Sequence, residues 1–120
     1  MLLVAGLVTK GQVKLFSNYT ESRGMVFVSG QIGTGGERDL SFEAEAEAAL
    51  KNVGTVLNQS GTKMNKVVSV TVYLQDLRLF GEFNSVYARY FKAPYPARTC
   101  VVVKELVQNA RVEVSVIAEK

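Results

Sequence analysis

The chain has more two-faced strand than its helices can cover, and that mismatch limits its architecture more than any other feature. Met25-Val26-Phe27-Val28-Ser29, Val67 to Leu74, Val101 to Val103 and Arg111 to Glu119 all read as strands rich in β-branched residues. Val101 to Val103 reads as buried on both faces. Only two segments carry helical periodicity. The first runs from about Ser41 to Gln59, with Phe42, Ala46, Ala49, Leu50, Val53, Val56 and Leu57 on one face. The second runs from Asp76 to about Phe91, with Phe80, Phe83, Tyr87, Tyr90 and Phe91 on its apolar face. Two helices cover one side of a sheet. The other side, carrying residues such as Met25, Phe27, Val101 and Val103, requires another cover. The simplest is the same face of another copy, so the pattern predicts an obligate homo-oligomer with ligand sites where subunits meet.

The remaining elements complete an α+β layering. Leu2 to Val8 and Val13 to Tyr19 are expected strands, with Lys10-Gly11-Gln12 as a turn between them. Ser22-Arg23-Gly24 is a second turn, where Gly24 suits a positive φ. Ser41 or Asp39 is expected to cap the first helix, and Gly61 to end it. Glu43, Glu45 and Glu47 suit the positive end of its dipole and read as a solvated face. The expected fold is a mixed six-stranded sheet with two helices on one face, ferredoxin-like or chorismate-mutase-like, in a single domain over residues 1–120.

Composition removes many chemistries. The 120 residues include no histidine and one cysteine, Cys100. A histidine base, a histidine metal ligand, an internal disulfide and a cysteine zinc site are all excluded. The net charge of +3 is scattered rather than clustered, which argues against nucleic acid as a partner. The apolar start at Met1 is too short to span a bilayer and lacks a signal-peptide pattern, so a cytoplasmic protein with no membrane partner is expected. Gly30-Gln31-Ile32-Gly33-Thr34-Gly35-Gly36 matches neither standard phosphate-binding glycine pattern and reads as a connection.

Three features bear on chemistry. In Pro94-Tyr95-Pro96-Ala97-Arg98-Thr99-Cys100-Val101, two prolines stiffen the approach to Arg98, whose planar fork suits a carboxylate or phosphate. Pairing with an acid of the same domain is the plain alternative. Asn84 lies on the apolar stripe of the second helix and, if buried, must find hydrogen-bond partners. Glu113 sits mid-strand, either paired across the sheet or available as an acid or base.

Val28-Ser29-Gly30-Gln31-Ile32, Asn84-x-x-Tyr87, Pro96-Ala97-Arg98-Thr99-Cys100-Val101 and Val112-Glu113-Val114 together resemble the Rid/YjgF family of reactive-intermediate deaminases, also described as endoribonuclease L-PSP-like. The resemblance covers nearly the whole chain. It implies a homotrimer with sheets packed inward and active sites in the clefts between subunits. It implies hydrolysis of 2-enamine and 2-imine acids, such as 2-aminoacrylate, to 2-keto acids and ammonia, without a metal or organic cofactor. Carried onto this sequence, Arg98 would grip the substrate carboxylate and Glu113 would activate water or shuttle a proton. Ser29 and Gly30 would line the pocket and Asn84 its rim. Cys100 would contact substrate rather than attack it. Where the family often has tyrosine before a serine, this chain has Phe16 before Ser17, and its loops before Pro96 and after Gln31 are shorter. Two other functions compete: a trimer that binds small carboxylates or keto acids without turnover, and the ribonuclease or translation inhibitor that the second family name suggests.

Overall fold

The computed structural model describes residues 14–34 and 39–120. The expected strand Leu2 to Val8, the turn at Lys10 to Gln12, Val13, and Gly35 and Gly36 lie outside them. Among the described residues are five strands and two α-helices. The strands are β1 (Tyr19–Ser22), β2 (Met25–Ile32), β3 (Val67–Leu74), β4 (Ala97–Val102) and β5 (Val112–Glu119), and the helices are α1 (Phe42–Ser60) and α2 (Phe80–Tyr87). The sheet order is β1-β2-β5-β3-β4, with β3 and β4 parallel and the other neighbours antiparallel. No helix among these residues is long and apolar enough to cross a membrane.

Local chemistry sets most of the boundaries. Ser41 accepts a hydrogen bond from the Ala44 N–H and caps α1, and Gly61 ends the helix in the left-handed region at φ 94°. β1 and β2 join through Arg23 and Gly24, both at positive φ, a two-residue turn whose twist matches that of the strands. The expected strand from Val13 is not formed at residues 14–18. There the Ser29 N–H donates to the Asn18 carbonyl and the Ser29 hydroxyl to the Ser17 carbonyl, so this segment is tied to β2 ahead of regular pairing. β2 does not stop at Ser29. A register shift between Val28 and Gln31 absorbs the extra residue, and pairing resumes through Ile32.

The second helix is shorter than its apolar stripe predicts. Asp76 accepts from the Arg78 N–H and pairs with its guanidinium, closing a tight 3-10 turn at Leu77–Leu79 before α2 begins. Single 3-10-type bonds, Arg89 N–H to Val86 and Tyr90 N–H to Tyr87, follow its end. The Ala93–Pro94 peptide is cis.

One apolar cluster lies between the helices and one face of the sheet. It draws on Val26, Val28, Val70, Val72, Leu74, Val112, Val114, Val116 and Ala118 from the strands and on the inner faces of α1 and α2. β3 departs from simple alternation: a register shift after Val67 buries Val67 and leaves Val68 exposed. β4 is an edge strand, and the expectation that Val101 to Val103 is buried on both faces fails. Val101 is 40% and Val102 48% exposed, because among the described strands only β3 flanks them.

The glutamates of α1 also differ from expectation. Glu45 is buried, not solvated: it receives the Arg111 backbone N–H and side-chain Nε at 2.7 Å each. This pair clamps α1 to the start of β5. Glu43 and Glu47 stay at the surface and share Arg89.

Candidate functional site

Side-chain alternation fixes which residues can meet. In register, Arg98 lies beside Val70 and Cys100 beside Val72, both core residues, so Arg98 and Cys100 face the helices. Glu113 lies between the buried Val112 and Val114 and pairs with Tyr73, so it projects from the face opposite the two helices. The register places the two about three residues apart along the sheet and two strands across, roughly 14 Å between Cα atoms on ordinary strand spacings. One chain therefore does not bring Arg98 and Glu113 together.

The Arg98 group occupies the outer edge of the helix layer. The guanidinium carbon lies 4.7 Å from the Tyr87 ring centroid and 5.7 Å from that of Phe80. No acid among the described residues pairs with it, so the plain alternative of a domestic ion pair is not realised. Asn84 shares the helical stripe of Phe80 and Tyr87, and its Oδ1 is buried without a hydrogen-bond partner. Cys100 packs against the core, and burial pushes its thiol pKa up, only partly opposed by Arg98. Burial thus works against the thiolate, the form that attacks.

The Glu113 group forms where β2 and β5 meet. Its carboxylate lies directly over Gly30: a Cβ there would fall 1.9 Å from Oε2. Glycine thus leaves room for this carboxylate, a reason the sequence position alone did not reveal. Glu113 has no hydrogen-bond partner or cation among the described residues, and burial raises its pKa. Ser29 precedes Gly30 in the irregular stretch, and its hydroxyl donates to Ser17 at 2.6 Å, placing the segment that carries Phe16 beside it. Phe16 is 37% exposed. Tyr73 sits opposite Glu113 on the same face, a neighbour that only the strand register reveals.

The structure thus assembles Arg98, Cys100 and Asn84 in one group and Gly30 and Glu113 in another, with Ser29 next to Gly30 and the segment carrying Phe16 tied to Ser29. It also explains the glycine at Gly33, where a Cβ would meet the α1 backbone at Glu45. Among the described residues no three potential metal ligands cluster.

Residues 10–120 match the family model described as Endoribonuclease L-PSP. The chain belongs to this family, known also as Rid/YjgF. Relatives within it include a RutC family protein of Aquifex aeolicus, 40% identical over 110 residues and covering 88% of each chain. The human 2-iminobutanoate/2-iminopropanoate deaminase is 38% identical over 97 residues, 78% of this chain and 71% of its own. Among solved structures, E. coli TdcF with bound serine superposes with a TM-score of 0.83 at 28% identity, covering 98% of this chain and 93% of TdcF. The two-helix, mixed-sheet layering is that of the Rid/YjgF fold.

Proposed function

We propose that the protein hydrolyses reactive 2-imine and 2-enamine acids of the 2-aminoacrylate type to 2-keto acids and ammonia, in clefts between copies of the chain. The observation that carries this reading is the pair of uncompensated charges. Among the described residues Arg98 has no acid and Glu113 has no cation, and each belongs to a group that would be half of a site. A second copy laid on the face opposite the helices would bring the Glu113 of one chain toward the Arg98 of another. The exposed Phe27 and Val101 give that face the apolar surface such a contact needs. The relatives named as imine deaminases, and the TdcF structure with its carboxylate-bearing ligand, support the same chemistry. The trimer is the assembly that the family resemblance favours.

In this mechanism Arg98 grips the substrate carboxylate through two parallel N–H bonds, which orient the adjacent C=N carbon. Ser29 and Gly30 line the pocket, and the unpaired Asn84 Oδ1 accepts from the substrate nitrogen. Glu113 takes a proton from water as the oxygen adds to the imine carbon. It returns that proton to the nitrogen to give a neutral carbinolamine, then carries the hydroxyl proton to the nitrogen as well, so that the C–N bond breaks, ammonia leaves and the C=O bond forms. A carboxylate whose pKa is raised by burial suits both halves of this exchange. Phe16 supplies no hydroxyl, so the water is held without help from that position. Cys100 contacts the substrate side of Arg98 and takes no covalent part.

The test generates 2-aminoacrylate in situ with a dehydratase and follows 2-keto acid release. Acceleration over the spontaneous rate, lost in Arg98→Ala, is expected. No acceleration, with pyruvate still binding to Arg98, would instead make the protein a carboxylate-binding module.

A further inference from the structure

Tyr87 takes no part in the hydrolysis as drawn, yet its surroundings single it out. Its ring is buried and locked: it stacks on Phe91 at 4.4 Å and 26°, and meets Phe83 at 5.8 Å. Its hydroxyl is buried without a hydrogen-bond partner, so the residue contributes no polar tie. What it presents is a fixed aromatic face, and Arg98 lies over that face at 4.7 Å.

An exposed arginine on an edge strand has many rotamers, and a carboxylate-binding fork must hold one of them. An acid would hold it, but would occupy the N–H edge that the substrate needs. An aromatic ring attracts the flat face of the guanidinium and leaves the edge donors free. We infer that Tyr87 is a positioning residue for carboxylate recognition: its locked ring holds the Arg98 guanidinium flat, with the N–H fork open to the substrate. The inference rests on the role proposed for Arg98, and it assigns the work to the ring and not to the hydroxyl.

The experiment compares Tyr87→Leu, Tyr87→Phe and Arg98→Ala. It uses the coupled imine assay, calorimetry with pyruvate as the probe, and the proton shifts of the Arg98 side chain. Tyr87→Leu is expected to weaken pyruvate binding and raise KM roughly tenfold with little change in kcat, in line with a cation–π contact on a desolvated face. Tyr87→Phe restores both values. The Arg98 side-chain protons show upfield ring-current shifts in the native protein and in Tyr87→Phe, and lose most of them in Tyr87→Leu, where the Phe80 ring at 5.7 Å is left. A folded Tyr87→Leu variant with native KM and pyruvate affinity, beside an Arg98→Ala variant that binds nothing, overturns the inference and leaves the role of Arg98 standing. Unimpaired Arg98→Ala overturns that role itself, and the inference with it. If the leucine variant does not fold, the native protein decides: Arg98 shifts at random-coil values overturn the proposal, and upfield shifts retained in Tyr87→Phe support it.

Discussion

Glu113 pays for its position in stability, and that cost has a readable sign. Its pKa is raised in the folded chain by burial. A carboxyl group of this kind binds its proton more tightly when folded, so its favourable contribution is complete below the unfolded pKa and is lost as pH rises through the folded one. Glu113→Gln is therefore expected to raise the thermal midpoint at pH 8, with the gain vanishing near pH 4, while the coupled assay loses about a hundredfold or more in kcat. Equal midpoints at both pH values would show that the group is not desolvated. Gly30→Ala probes the same carboxylate from the other side. The new methyl group meets only the flexible end of Glu113, so the chain should fold normally while the carboxylate swings away. The expected kcat loss is again about a hundredfold, with a circular dichroism spectrum unchanged from native. The sequence marked Gly30 and Glu113 as separate features of a family pattern. That one lies on the other follows from the register shift in β2, which no local pattern of residues encodes.

At the scale of elements, the clamp between α1 and β5 is the feature least legible in the sequence. Glu43, Glu45 and Glu47 look alike in a row, and only the rotation of α1 separates the buried one from its solvated neighbours. Arg111 completes the pair from 66 residues away, with a further bond from its guanidinium to the Leu40 carbonyl. Because Arg111 still reaches water in part, Glu45→Ala is expected to cost about 3 kcal/mol, the lower end for breaking a buried pair, measured by urea denaturation. A loss under about 1 kcal/mol would place the pair with ordinary surface ion pairs. By contrast, α1, the core face of β5 and the Arg23-Gly24 turn were legible, because periodicity, caps and positive-φ residues act locally. β4 was misjudged for the opposite reason: a valine run signals a strand, but whether a strand is central or at an edge depends on sheet order.

The whole molecule poses the problem the strand pattern announced at the outset. The sheet turns one face away from its two helices, and the groups around Arg98 and Glu113 lie on opposite sides of it. Charging that face should separate the copies: Phe27→Glu, at a side chain 41% exposed in the single chain, is expected to yield folded monomers by sedimentation velocity, with activity lost. An active Phe27→Glu monomer would contradict a shared site. The most direct measurement mixes two inactive variants, Arg98→Ala and Glu113→Ala, by co-expression in equal amounts. If each site takes Arg98 from one copy and Glu113 from its neighbour, random assembly into a closed ring restores about a quarter of the native activity, whatever the number of subunits. If the mixture stays as inactive as either variant alone, the two groups do not combine across copies, and the account of the site is wrong.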